Sequence, residues 1–147
     1  MRKIKLYTIG FTKKTAEKFF TTLREARIKT VIDVRLNNVS QLAGFTKRDD
    51  LAFFLREICD CTYRHEPCLA PTDAILNGYK KKTMGWDEFE VQFNSLLRER
   101  QPEDRFEAGD LNQACLLCSE PTADRCHRRL VAEYLRDKSD HIEIIHL

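Results

Sequence analysis

Five short strand-like runs alternate with segments of helical period along this chain. That alternation is its tightest constraint. Lys3 to Ile9 alternates charge and bulk and then meets Gly10, which predicts a strand ending in a turn. Ala16 onward places Phe19, Phe20, Leu23 and Ala26 at helical spacing. Thr30 to Val34 is a β-branched run that reads as a buried strand. Thr46-Lys47-Arg48-Asp49 resembles a capping box with Asp in its last position. It opens a helix with Leu51, Phe54, Leu55 and Ile58 on one face. Cys61 to His65 reads as a third strand and Ala114 to Cys118 as a fourth, buried one. Trp86, Phe89, Phe93, Leu96 and Leu97 mark an amphipathic helix between them. A last helix is expected from about Thr122 to Asp137, followed by a closing strand from His141 to Leu147.

Alternation of this kind predicts an α/β fold with an open, mostly parallel sheet of about five strands and helices on both faces, Rossmann-like. The 147 residues fit one domain, taken as 1–147. Pro67, Pro71, Asn77, Gly78 and Gly85 interrupt the middle of the chain, so a lid or insertion is expected over 66–85. The expected strand order is 3-2-1-4-5, with the last strand at an edge. Ligands of such sheets bind beyond the carboxyl ends of the strands at the switch point. Residues 8–12, 33–35 and 118–120 are therefore expected to converge there.

Composition bounds the function. Apolar residues make up 42% and charged residues 33%, which excludes a disordered tail protein. The net charge of +2 is too small to argue for nucleic acid by itself. No apolar run approaches the roughly 18 residues of a membrane span, so no membrane partner is expected. Charges in the first five residues break any signal-peptide pattern, which points to the cytoplasm. The six cysteines then read as reduced thiols, metal ligands or catalytic groups.

Cys118-Ser119-Glu120 followed by Cys126-His127-Arg128 is the most unusual stretch. Cys118 ends an apolar strand, and Cys126 is expected in the first or second turn of the next helix. Unpaired N–H groups and the neighbouring Arg125, His127, Arg128 and Arg129 would lower a thiol pKa there. Two thiols near each other suit a nucleophile with a resolving partner, a redox pair, or two metal ligands. The plain alternative is that they only pack. A zinc site from Cys115, Cys118, Cys126 and His127 has the right C-x2-C spacing, but both of the first two lie in or beside a buried strand. Adjacent Cys126 and His127 would also point about 100° apart on a helix. No metal and no cofactor is assigned.

Asp33 and Arg35 share a strand face. Arg35 could hold an anion, with Asp33 as its partner or a base, or the two could form an ion pair that orders the loop. Glu120 is a candidate acid or base, or a carboxylate stabilising the following helix. Gly10 permits a tight turn or a close approach, and Thr8 and Thr12 could bind an anion or cap a helix. His65 near the end of the third strand reads as a cleft or a structural histidine; His141 and His146 show no convergent partners and read as structural. Tyr79-Lys80-Lys81-Lys82 with Trp86 reads as a basic aromatic lid or as solvated surface.

These motifs together resemble the uncharacterised family known as domain of unknown function 488. The resemblance rests on Thr8-Ile9-Gly10 followed by an aromatic and a hydroxyl residue, on Val31-Ile32-Asp33-Val34-Arg35, and on Ser40, Phe45 and Tyr63-Arg64-His65. It ends on Leu116-Leu117-Cys118-Ser119-Glu120 and Cys126-His127-Arg128. It implies a compact α/β domain and names no reaction. The chain departs from the pattern at Thr12, where serine is usual, at Asn37-Asn38, where proline is missing, and at Leu69-Ala70-Pro71. Asp33-Val34-Arg35 also resembles a rhodanese strand. The loop Ser119-Glu120-Pro121 after Cys118 carries an acid and no glycine, however, which disfavours a thiosulfate-like anion.

Three functional readings follow. One is an enzyme acting by hydrolysis or group transfer on a nucleotide-like or nucleic-acid-linked anionic substrate. In it Cys118, Glu120 and Asp33 are catalytic, and Thr8, Gly10, Thr12, Arg35, Cys126, His127 and Arg128 bind the substrate. The others are a non-catalytic nucleic-acid-binding module and a metal or redox protein using Cys118 and Cys126. The oligomeric state is left open.

Overall fold

A computed structural model describes residues 3–39, 44–107, 109–120, 122–139 and 141–147. Ser40 and Pro121, both named above, lie outside them. The sheet has five parallel strands: β1 (Ile4–Gly10), β2 (Thr30–Asp33), β3 (Thr62–His65), β4 (Ala114–Cys118) and β5 (Ile142–His146). Between them run α1 (Ala16–Glu25), α2 (Arg48–Cys59), α3 (Asp73–Lys80), α4 (Trp86–Arg100) and α5 (His127–Asp137).

Side chains alternate across the strands and divide the interior into two layers. Tyr7, Ile9, Val31, Cys115 and Leu117 meet Phe19, Phe20 and Leu23 of α1 and Leu51 and Leu55 of α2. Leu6, Ile32, Val34, Leu116 and Cys118 meet Phe89, Phe93 and Leu97 of α4 and Leu130, Val131 and Leu135 of α5. Each of these four helices therefore buries a stripe, as the apolar spacing requires. Thr15 caps α1 by accepting from the Lys18 N–H, and Thr72 caps α3 in the same way through the Ile75 N–H.

The strand order is β3-β2-β4-β1-β5, which corrects the expected 3-2-1-4-5. The fifth strand is at an edge as expected, but β4 lies between β2 and β1. The reason is chemical. All five residues of Ala114–Cys118 are buried and none is charged, so this run suits the position covered on both faces. Ile4–Gly10 carries Lys5, exposed near the start of its strand. β1 and β4 are neighbours in both orders, but the neighbouring strands whose connections lead apart are now β2 and β4, so the switch point moves between those two. Gly10 aligns with Cys118 across the β1–β4 pair.

Three local expectations need correction. The Thr46–Asp49 capping box does not form: Thr46 lies in a 3-10 turn, and Lys47 is the N-cap of α2 without a side-chain bond. Ile58, expected on the packed face, is exposed. The last helix begins at His127, not Thr122, and Cys126 is its extended N-cap.

Candidate active site

The loops after β1, β2 and β4 converge as the topology requires. The Thr12 N–H donates to the Ser119 carbonyl at 3.0 Å, and the Val34 N–H donates to the Leu117 carbonyl at 3.0 Å. Gly10 makes this closeness possible. A Cβ there would stand 1.5 Å from the Glu120 carbonyl oxygen and 2.9 Å from an Arg128 nitrogen. The glycine thus seats the protein's own 118–120 loop.

Arg128 holds that loop from below. Its side chain is fully buried, with NH1 donating to the Glu120 carbonyl at 2.7 Å and Nε to Thr8 Oγ1 at 3.2 Å. Among the described residues no carboxylate pairs with it. Thr8 Oγ1 also meets His146 Nδ1 at 2.6 Å, because β5 runs beside β1 with Thr8 opposite His146. His146 therefore has a partner that the sequence did not reveal.

Cys118 ends β4 with its sulfur among three groups. Cys126 Sγ donates to it at 2.6 Å, and His127 Nδ1 lies 3.7 Å away. The third group is the Glu120 backbone N–H, which favours the thiolate. His127 Nε2 meets the Val34 carbonyl at 2.7 Å, so that nitrogen carries a proton and Nδ1 faces the sulfur. Burial opposes ionisation of Cys118. The Cys126 thiol, the His127 charge and the Glu120 N–H outweigh it and hold the thiol well below its ordinary range. Burial likewise opposes protonation of His127, yet the Cys118 charge and the Val34 carbonyl raise it. Burial and the neighbouring Cys118 push Cys126 upward. These directions favour a thiolate–imidazolium pair with a neutral thiol beside it.

This trio also bears on metal binding. Cys118, Cys126 and His127 offer donor atoms within 4.8 Å of one another. The expected divergence of residues 126 and 127 fails because Cys126 is extended, outside the helix. Cys115 faces the α1–α2 layer on the other side of the sheet, so the four-ligand zinc set does not assemble. Two thiolates on one tetrahedral zinc stand about 3.8 Å apart, given bonds of about 2.3 Å. The sulfurs here are closer, in direct contact.

Asp33 and Arg35 are locked together. Arg35 Nε donates to Asp33 Oδ1 at 2.8 Å and NH2 to Oδ2 at 2.7 Å, and NH2 also reaches the Thr46 carbonyl at 2.7 Å. Tyr63 Oη donates to the same carboxylate at 2.6 Å. Burial works against the Arg35 charge, and the Asp33 bonds more than restore it. Asp33 is fully buried within this ring of donors, the arrangement of an ion pair that orders the loop. Tyr63 reaches it because β2 and β3 are neighbours, as the expected strand order had them. His65 Nε2 meets the Arg35 carbonyl at 2.8 Å and supports the same loop.

A cavity of about 710 Å³ opens over Cys118 at the carboxyl ends of the strands. Arg35, Cys118, Glu120, Cys126 and His127 line it; Thr8, Gly10, Thr12, Asp33 and Arg128 lie outside its lining. Glu120 is exposed at the mouth. Phe11, Tyr79, Trp86 and Phe89 give the cavity aromatic walls, and Lys80, Lys82 and Arg125 bring positive charge. Trp86 stacks on Phe89 with centroids 5.1 Å apart. Sequence reading placed Tyr79, Trp86 and the lysines near one another; it missed Phe89, whose helical spacing marks it only as core.

The fold and the site define a single-sheet parallel α/β protein with a cysteine–histidine pair beneath a switch-point cavity. The sequence model for the family described as domain of unknown function DUF488 matches residues 15–135, and the chain belongs to that family. No curated protein and no solved structure matches it. Among the described residues no helix is long and apolar enough to cross a membrane.

Proposed function

We infer that the protein is a cysteine-dependent enzyme that hydrolyses or transfers a group from a nucleotide-like anionic substrate. The observation that carries this reading is the Cys118 sulfur at the cavity floor, flanked by His127 Nδ1 at 3.7 Å. Cys118 is the nucleophile: its thiolate forms a bond to the electrophilic carbon or phosphorus of the substrate. The bond to the leaving group breaks, and the His127 imidazolium gives that group its proton. Neutral His127 then takes a proton from water or an acceptor hydroxyl, which attacks the adduct and frees the thiolate. The Glu120 N–H stabilises charge near the sulfur, and the exposed Glu120 carboxylate is a second proton carrier at the mouth.

Binding divides between the walls. The aromatic groups around Trp86 suit a flat ring, and Lys80, Lys82 and Arg125 suit a phosphate or carboxylate. Residues 66–85 serve as the lid, since α3 and the turn after it form one wall. Arg35 contributes field more than free donors, because Asp33 and Thr46 occupy its Nε and NH2. Asp33, Thr8, Gly10, Thr12 and Arg128 act as positioning residues behind the lining.

The test uses two reporters. Trp86 is the single tryptophan, so nucleoside monophosphates entering the cavity should change its fluorescence saturably. p-Nitrophenyl acetate and p-nitrophenyl phosphate, as activated acyl and phosphoryl donors, should give a burst of one nitrophenolate per chain and a mass adduct on Cys118. Cys118→Ser should abolish burst and adduct while keeping the fluorescence response. Absence of both signals in the native protein overturns the reading.

A further inference from the structure

The six thiols are not equivalent. Cys59 Sγ donates to the Phe20 carbonyl, Cys61 to the Thr62 carbonyl, Cys68 to the Glu66 carboxylate and Cys115 to the Leu116 carbonyl. Each of these four ends on oxygen. Cys126 Sγ ends on another sulfur, 2.6 Å away. The two residues are eight apart, so closing a bond between them encloses only a small loop. Cys126 is an extended N-cap preceded by the turn at residues 124 and 125, outside the rigid helix. Both residues line the cavity, which gives a small oxidant a route toward them.

We propose that Cys118 and Cys126 form a reversible dithiol–disulfide couple that a hydroperoxide oxidises and that switches the site off. It rests on the reactive Cys118 thiolate of the proposed activity, but uses Cys126 in a way that activity does not need. The Cys118 sulfur attacks the peroxide: an S–O bond forms, the O–O bond breaks, and the departing hydroxide (or alkoxide) takes a proton from His127. The Cys126 sulfur then attacks Cys118. Its proton goes to His127, the S–S bond forms, the S–O bond breaks, and the leaving hydroxide takes that proton from His127 to become water. The two sulfurs lose two electrons, and the His127 imidazolium and the Cys126 thiol give up one proton each; the peroxide gains both. A cellular or added thiol reverses the reaction by exchange. While the bond stands, the nucleophile is absent and His127 has lost its anionic partner.

The experiment treats the full chain with one equivalent of hydrogen peroxide, followed by intact mass and peptide mapping. The expected result is a loss of two hydrogens, one new Cys118–Cys126 link, and an ester burst that falls to background and returns with dithiothreitol. Cys126→Ser should instead gain one oxygen on Cys118 and react with dimedone. The wild-type map decides alone if that variant fails to fold. A disulfide mapping to another pair, or Cys118 driven to sulfinate beside a free Cys126 thiol, overturns the couple. Disulfide formation without any ester adduct would sink the proposed activity and leave the couple standing. An adduct without the disulfide would do the reverse.

Discussion

At the scale of single residues, the site depends on which charge each buried group keeps. Cys118 has a pKa held down by Cys126, His127 and the Glu120 N–H, whereas burial raises Cys59 and Cys68. An acid with a lowered pKa is ionised across the neutral range and is neutralised only as pH falls through that lowered value. Alkylation of Cys118 by iodoacetamide is therefore expected to be rapid and flat from neutral pH upward, while Cys59 and Cys68 react appreciably only at alkaline pH. In His127→Asn the cationic partner is gone, and the Cys118 profile should move toward higher pH. Once its midpoint lies above neutrality, the thiolate fraction at pH 7 falls about tenfold for every further pH unit the midpoint moves. Site-resolved labelling by mass spectrometry measures this, and an unchanged profile in the variant would refute the pairing. The buried Arg128 belongs to the same balance, because it places positive charge beneath the 118–120 loop.

At the scale of elements, the decisive pieces are the ends of strands. The 118–120 loop lies so close over β1 that Gly10 has no room for a side chain. Gly10→Ala should destabilise the fold by about 1–3 kcal/mol, the usual range for overpacking, read from urea unfolding. The same change should remove the preferential labelling of Cys118, since the Glu120 N–H moves with the loop. Near-wild-type stability and labelling would show that the loop yields freely. This close approach was legible in the sequence only as a glycine after a strand; what approached it was not. The trio of Cys118, Cys126 and His127 was legible as residue types near a strand end and a helix start. Its convergence was not, because it depends on where α5 begins, and a turn stands where the first part of the helix was expected. His146 at Thr8 was hidden for another reason: the expected order put the last strand beside β4, and it pairs with β1 instead, whereas Tyr63 reaches Asp33 through the β2–β3 pairing that the expected order contained.

At the scale of the whole molecule, the alternating pattern disclosed the class of fold and the parallel sheet. The order of strands was harder, because connection rules alone allow β1 and β4 to exchange places. The apolar composition of Ala114–Cys118 against the charged start of Ile4–Gly10 was the available signal. β4 holds β2 to β1, which share no ladder otherwise. A chain cut after Gln113 is expected to keep helical signal by circular dichroism but to lose cooperative unfolding, and a sharp urea transition in that fragment would contradict the central role of β4. Synthesis from the ribosome runs into the same difficulty. The first hundred or so residues to emerge include β1, β2 and β3 yet lack the strand that joins them, so the nascent chain waits with its sheet in two parts. The strand that closes the gap also ends on Cys118, so the sheet and the cysteine–histidine cluster are completed by the same late stretch of chain, β4 first and Cys126 and His127 just after it.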